Sequence, residues 1–125
     1  MLFNQLHHAA VIASDYRKAR EFYVDTLGFP VLREHYREER GDWKIDLQFG
    51  DGALELFVIP SAPPRPSYPE ARGLRHLAFR VDDIEAAVRE LEGKGVPCEP
   101  VRADPCGGRF TFFHDPDGLP LELHE

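Results

Sequence analysis

Two histidines and two glutamates in this chain form two pairs at nearly the same separation. His8 precedes Glu55 by 47 residues, and His76 precedes Glu122 by 46 residues. Imidazole nitrogens and carboxylate oxygens are ligands of first-row divalent metals. If one half of the chain is a copy of the other, the two pairs could converge on one cation. The spacing therefore predicts a metal site with His8, Glu55, His76 and Glu122 as ligands.

Four protein ligands would leave two positions of an octahedral metal open. Ni, Co, Mn and Fe(II) suit such a site, and Zn suits it if its coordination expands. A divalent metal with two open positions can hold two adjacent oxygens of a substrate and stabilise the enediolate that forms when a carbon between them loses a proton. A carboxylate beside the metal would then move that proton.

The repeat extends beyond these four residues, at an offset of 67 to 68. Asp15 and Asp83 each follow the histidine of their half by seven residues, and each can cap a helix that ends at Gly28 or Gly95. The helices are predicted at residues 16–27 and 84–93, because apolar residues recur there at helical spacing. Strands are predicted at residues 8–13, 31–36, 43–49, 53–59, 76–81, 98–101, 109–114 and 120–123.

Both halves therefore read as βαβββ modules. The first module covers about residues 5–59 and the second about 74–125, and a proline-rich linker at about 60–73 joins them. A module of this size could hardly bury the apolar face of its sheet alone. The predicted fold class is α+β, with residues 1–125 forming a single domain. In it, two modules related by internal duplication form a curved mixed sheet around a metal-binding cleft.

Strand alternation selects the ligands from their neighbours. His7 would match Arg75 in the repeat, and alternation is expected to turn it away from the face of His8. Glu55 and Glu122 each lie between two leucines, so their carboxylates must project to the opposite face, towards water or a partner. A metal ion is one such partner.

Composition excludes several classes of function. The formal net charge is -7 and the pI is near 5.3, with scattered lysines and arginines, so no basic surface for nucleic acid is expected. No apolar run is long enough to span a membrane and no signal peptide is recognisable, so we expect a cytoplasmic protein. The two cysteines, Cys98 and Cys106, form no CxxC motif and suit a reducing compartment.

Five segments, residues 8–15, 22–29, 54–56, 76–82 and 115–123, carry a resemblance that covers essentially the whole chain. In these segments the chain resembles the vicinal oxygen chelate superfamily, also called the glyoxalase, bleomycin resistance and dioxygenase superfamily. It is most similar to glyoxalase I-like (lactoylglutathione lyase) proteins of the short bacterial type. The resemblance implies paired βαβββ modules, a metal in the cleft and a homodimer. In several members of the family the site draws ligands from both subunits.

The order His, Glu, His, Glu favours the lyase within that superfamily. Extradiol dioxygenases and fosfomycin-modifying relatives typically use two histidines and one glutamate. The resemblance implies isomerisation of a thiol–methylglyoxal hemithioacetal to a 2-hydroxyacyl thioester. In that reaction Glu122 would be the main catalytic base, and Glu55 would be the opposite carboxylate that returns the proton.

The positions that would recognise the thiol depart from the family pattern. Many glyoxalase I sequences carry an arginine four residues after the first histidine ligand and an asparagine four residues after the first glutamate. This chain has Ile12 and Ile59 there, which leaves glutathione or another thiol open as the partner of methylglyoxal. Cations that could bind the substrate's carboxylates are Arg37, Lys44, Arg75 and Arg109.

Two kinds of alternative function remain open from the sequence. The first is another metalloenzyme of the superfamily: an epimerase of acyl thioesters, a thiol transferase for fosfomycin, or a dioxygenase. The second is a non-catalytic binding protein of the bleomycin-resistance kind, which holds a ligand without metal. Such binding proteins commonly lack the ligand residues, whereas this chain has all four.

Overall fold

Each half of the chain folds into a unit with its own four-stranded sheet. The computed structural model describes all 125 residues, and residues 1–63 and 64–125 form two compact units. The boundary falls inside the proline-rich segment that the sequence predicts as a linker. The strands of the first unit are β1 (His8–Ala13), β2 (Val31–Arg37), β3 (Asp42–Phe49) and β4 (Gly52–Val58). Those of the second are β5 (Leu77–Arg80), β6 (Arg102–Ala103), β7 (Arg109–His114) and β8 (Pro120–His124).

The two sheets have the same strand order. It is β1-β4-β3-β2 in the first unit and β5-β8-β7-β6 in the second. In each sheet the first strand pairs in parallel with the last, and the other pairs are antiparallel. Parallel neighbours need a crossover connection, and each unit places a helix directly after its first strand. The predicted α+β fold with a duplicated βαβββ unit is confirmed.

The helices begin where the sequence predicts. The side chain of Asp15 accepts a hydrogen bond from the backbone nitrogen of Lys18 at 2.8 Å, and Asp83 accepts one from Ala86 at 2.9 Å. These bonds satisfy amides that have no partner within the helix. Helix α2 (Ile84–Gly93) has the predicted bounds. None of the helices is long and apolar enough to cross a membrane.

The first helix differs from the prediction in its second half. It is α-helical at Tyr16–Arg20, which we call α1, and continues as a π-helix at Glu21–Thr26. Phe22 and Tyr23 are both buried there although they are neighbours in sequence. An apolar pattern over so few residues does not distinguish a π-helical turn from an α-helical one.

One predicted strand lies in a different place. The sequence predicts a strand at residues 98–101, but the regular strand of this region is β6, directly after it. Pro100 has no amide hydrogen to donate to a ladder, which explains the difference. The segment is held to β7 by two other bonds. The Glu99 nitrogen donates to the Phe112 carbonyl at 2.9 Å, and the Thr111 hydroxyl donates to the Glu99 carbonyl at 2.6 Å.

Alternation along the last strand of each unit separates a buried face from an accessible one. Leu54, Leu56 and Val58 of β4 are buried, and so are Leu121 and Leu123 of β8. The glutamates between these leucines are only half-buried and project from the opposite face of the sheet. The predicted orientation of both glutamates is therefore confirmed.

We expect loss of the cap on α2 to lower the stability of the protein. Asp83→Ala removes the acceptor for the Ala86 amide and should lower the free energy of unfolding by about 1 kcal/mol. Asp82→Ala is the matched control, because Asp82 is exposed and caps nothing. The Asp82→Ala change should alter the free energy of unfolding by less than about 0.5 kcal/mol. Urea denaturation measures both, and equal losses would contradict the assignment of the cap.

Candidate functional site

Strand register places a histidine and a glutamate on the same face in each unit. Ala10 of β1 lies opposite Glu55 of β4, and Ala78 of β5 lies opposite Glu122 of β8. In both units the histidine stands two residues before that alanine. Because side chains alternate along extended backbone, histidine, alanine and glutamate share one face.

The two pairs differ in separation and exposure. His8 Nε2 lies 3.7 Å from Glu55 Oε2, with side chains 42% and 18% exposed. His76 Nε2 lies 2.8 Å from Glu122 Oε2, with side chains 23% and 12% exposed. Each pair therefore presents an imidazole nitrogen and a carboxylate oxygen side by side, within reach of solvent.

Glu55 belongs to a cluster of two carboxylates and two cations. Lys44 Nζ donates to Glu55 Oε1 at 3.2 Å and lies 2.9 Å from Asp46 Oδ1, without the alignment of a hydrogen bond. Arg33 Nε donates to Asp46 Oδ2 at 2.6 Å. Asp46 is 2% exposed and lies opposite Glu55 across β3 and β4. Lys44 thus separates two carboxylates that would otherwise repel each other.

The charges of this cluster are mutually supported. Burial is the largest influence on the pKa of Asp46 and raises it, but Arg33 and Lys44 together hold that pKa below its usual value. The pKa of Lys44 is raised, first by Asp46 and then by Glu55, against the effect of burial. Asp46 is not among the residues that the sequence predicts for the site. The alternation of polar and apolar residues in Lys44–Leu47, the same pattern that indicates Glu55, could have indicated Asp46 as well.

The surroundings of the second pair are aromatic. Phe112 of β7 lies opposite Glu122, and its ring stands edge-on to that of His76, with centroids 5.1 Å apart and planes at 87°. Arg75 Nη1 lies 3.3 Å from His76 Nδ1. Perpendicular ring packing of this kind restricts rotation of the imidazole. Only the aromatic composition of β7 indicates this contact at the level of sequence.

His7 contacts the first pair through the imidazole of His8, and its orientation away from the face of His8 stays a prediction. Its Nδ1 is 2.8 Å from Nδ1 of His8, and the two ring centroids are 5.1 Å apart. His7 is therefore a neighbour of the first pair.

The cations that the sequence suggested for substrate binding each contact a carboxylate of their own unit. The contacts are Arg37 with Asp42 at 2.6 Å, Lys44 with Glu55 at 3.2 Å, Arg75 with Glu70 at 2.9 Å, and Arg109 with Glu85 at 2.6 Å and Glu125 at 2.7 Å. Their roles in substrate binding stay predictions.

The donor set of the two pairs fits a divalent metal of the first transition row, because imidazole nitrogen and carboxylate oxygen are borderline and hard ligands. No group of three or more histidine, cysteine, aspartate or glutamate side chains lies close enough together in the chain to hold a metal ion. The four-ligand site stays a prediction.

Comparison with known proteins gives a family match over nearly the whole chain. The profile of the Glyoxalase/Bleomycin resistance protein/Dioxygenase superfamily matches residues 5–123. The chain is 56% identical over 127 residues to the uncharacterised protein YwkD of Bacillus subtilis, covering 100% of this chain and 99% of that protein. A crystal structure of the glyoxalase family protein from Enterococcus faecalis, 53% identical, superimposes with a TM-score of 0.95 and covers 100% of both chains.

Relatives with a named activity are more distant. Mitochondrial methylmalonyl-CoA epimerase of Mus musculus is 30% identical over 129 residues, covering 97% of this chain and 72% of that protein. Lactoylglutathione lyase of Schizosaccharomyces pombe is 25% identical over 144 residues, covering 95% of this chain and 46% of that protein. Both similarities extend over most of this chain.

We expect Lys44 to stabilise the face that carries Glu55. Lys44→Met leaves Asp46 and Glu55 side by side without the ammonium and should lower the free energy of unfolding by about 1–2 kcal/mol. Lys94→Met is the matched control, because Lys94 forms an exposed pair with Glu90. The Lys94→Met change should lower the free energy of unfolding by less than about 0.5 kcal/mol.

Chemical denaturation of metal-free protein measures both effects. Combining Lys44→Met with Asp46→Asn should cost less than the sum of the two single changes, because they remove one shared interaction. Strict additivity would show that Lys44 and Asp46 do not stabilise each other.

Proposed function

The chain belongs to the glyoxalase/bleomycin resistance protein/dioxygenase superfamily, and we propose that it is a metal-dependent lyase of the glyoxalase I kind. It would isomerise the hemithioacetal of methylglyoxal and a thiol to a 2-hydroxyacyl thioester. One observation supports this most strongly: each unit holds a histidine at the start of its first strand or directly before it, and a glutamate at the matching place on its last strand. A small-molecule substrate, a homodimer and a cytoplasmic location are part of the proposal.

The metal ligands would be His8, Glu55, His76 and Glu122. Each pair supplies two ligands, and a catalytic metal usually takes at least three from the protein, so one pair alone is insufficient. We propose that the first pair of one subunit and the second pair of another complete each site, as the family resemblance implies. A bound Ni, Co, Zn, Mn or Fe ion would polarise adjacent substrate oxygens and stabilise the negative charge that develops on them.

The carboxylates would move the proton between the two reacting carbons. Glu122 would take the proton from the carbon that bears sulfur, and Glu55 would accept the hydroxyl proton of that carbon and deliver it to the neighbouring carbon. Glu122 would then release its proton to the oxygen of that neighbouring carbon, so that both carboxylates end ionised and atoms and charge balance. The asymmetry of their contacts supports these roles. Glu55 accepts a hydrogen bond from the Lys44 ammonium, whereas the ion-pair partner of Glu122 is His76. Phe112 would keep the His76 ring in place and limit access of water.

We expect Glu122→Gln to abolish most of the activity without unfolding the protein. Loss of a general base costs about 10²–10⁴-fold in rate, and loss of a metal ligand adds to that. Glu92→Gln, on the exposed side of α2, is the matched control and should retain full turnover. The assay follows thioester formation from methylglyoxal and low-molecular-weight thiols after reconstitution with each candidate metal. If no combination of metal and thiol yields thioester with the wild type, the lyase proposal fails.

Subunit complementation tests whether two subunits share each site. One variant carries His8→Ala and Glu55→Ala, the other carries His76→Ala and Glu122→Ala, and each alone should be inactive. A mixed dimer has one intact site if ligands are shared, so random mixing should restore about a quarter of wild-type activity. Native mass spectrometry verifies that mixed dimers form. An inactive mixture that contains mixed dimers would contradict the shared site.

A second candidate is epimerisation of an acyl thioester. The similarity to methylmalonyl-CoA epimerase, 30% over 97% of this chain, favours it, and the same carboxylates could remove and return a proton beside a thioester carbonyl. Deuterium incorporation into methylmalonyl-CoA in heavy water, compared with thioester formation from methylglyoxal, separates the two reactions. Metal analysis of protein purified without chelators distinguishes either enzyme from a metal-free binding protein.

A further inference from the structure

The proline-rich segment and the end of β7 line a cavity whose wall includes none of the four predicted metal ligands. Its volume is about 420 Å³, and it lies entirely within the second unit. Charged and polar side chains of this segment line it, together with His114. They are Arg65, Ser67, Glu70, Arg72 and Arg75. A cavity of this size can hold a small molecule.

The charge of this cavity is opposite to that of the protein as a whole. Three arginines and one glutamate line it, whereas the chain carries a formal net charge of -7. Arg75 is paired with Glu70, but both side chains are more than half exposed, at 61% and 55%, so the pair neutralises little of the field. Arg72 forms no ion pair or hydrogen bond in the structure. A concave, positively charged surface concentrates anions.

Arg65 supplies an independent indication of a ligand. Its Nε atom is buried and has no hydrogen-bond partner. A buried donor without a partner is unfavourable, and native proteins rarely retain one. In the observed conformation this atom is not accessible from the cavity, so an anion would accept its hydrogen bond after a rotation of the Arg65 side chain. Such a rotation would relieve the unpaired donor, because guanidinium groups match the oxygens of phosphate and carboxylate.

We propose that this cavity binds an oxyanion, the phosphate or carboxylate group of a small molecule, through Arg65 and Arg72 with Arg75 at its edge. Arg75 also links the cavity to the second histidine–glutamate pair, since its Nη1 lies 3.3 Å from His76 Nδ1. The proposal extends to the substrate: the bound anion would be one end of it and the reacting carbons would lie at the pair, although neither His76 nor Glu122 lines the cavity itself. This last step rests on the proposed function, whereas anion binding itself does not.

Binding is tested on the full-length, metal-free chain with inorganic phosphate as the probe. Phosphate is titrated at constant ionic strength while the arginine Nε–Hε signals are followed by NMR, with acetate in a parallel titration. We expect saturable shifts, including that of Arg65, and the stronger response identifies the preferred oxyanion. Arg65→Gln and Arg72→Gln should each weaken binding about tenfold.

Arg89→Gln is the matched control, because Arg89 is an exposed arginine of α2 outside the cavity. It removes the same charge from the same unit and should change the dissociation constant less than twofold. Arg72→Gln keeps the test valid if Arg65→Gln does not fold. Shifts that rise linearly without saturation, or equal weakening by Arg89→Gln, would overturn the anion site.

A kinetic comparison tests the link to the substrate. Hemithioacetals of methylglyoxal with 3-mercaptopropionate and with 2-mercaptoethanol differ in one negative charge. Arg72→Gln should raise KM about tenfold for the charged substrate, leave KM for the neutral one unchanged, and leave kcat unchanged for both. An equal change for both substrates would contradict the link. Absence of turnover with the wild type would reject the lyase proposal, while the phosphate titration would still decide the anion site.

Discussion

The parallel pairing of the first strand with the last strand of each unit is the constraint on which the candidate site depends. In both sheets the register of these two strands places an alanine of the first strand opposite a glutamate of the last. The histidine two residues before that alanine shares their face. The helix that follows the first strand provides the crossover that parallel strands require. A shift of either strand by one residue would turn the histidine or the glutamate to the buried face and separate them.

The two copies of the unit have diverged in what surrounds the glutamate. Across the neighbouring strand, Glu55 faces the buried carboxylate of Asp46, and Lys44 separates the two. At the equivalent position Glu122 faces Phe112, which packs against the imidazole of its pair. One glutamate therefore lies in a network of alternating charges and the other in an aromatic setting. This asymmetry is the physical basis for giving the two carboxylates different roles.

Much of the fold could be predicted because duplication doubles the signal. The caps at Asp15 and Asp83, the bounds of α2 and the alternation around both glutamates follow from local rules for free amides and for buried leucines. The position of β6 could not be predicted from apolar content, because the missing amide of Pro100 decides it. The π-helical turn depends on packing of Phe22 and Tyr23, which composition does not report.

The site was only partly predictable for a similar reason. The repeat identified the histidines and glutamates, since chemically matched residues at one offset are informative even without a structure. Asp46 and Phe112 are neighbours of the glutamates across strands, and such contacts depend on the register of distant segments. The cavity around Arg65 and Arg72 depends on the course of a segment without regular structure, where sequence patterns carry little information.

Strand order within each sheet has a further consequence for the histidines. Both lie on or directly before an edge strand, β1 or β5, whereas both glutamates lie on strands with a neighbour on each side. Edge strands lose their backbone hydrogen bonds more readily than central strands, so local opening begins there. The backbone that carries the glutamates is thus the better protected half of each pair, and the backbone that carries the histidines is the half expected to open first. Any cation that ties the two together would slow amide hydrogen exchange in β1 and β5 before it affects the interior of either sheet.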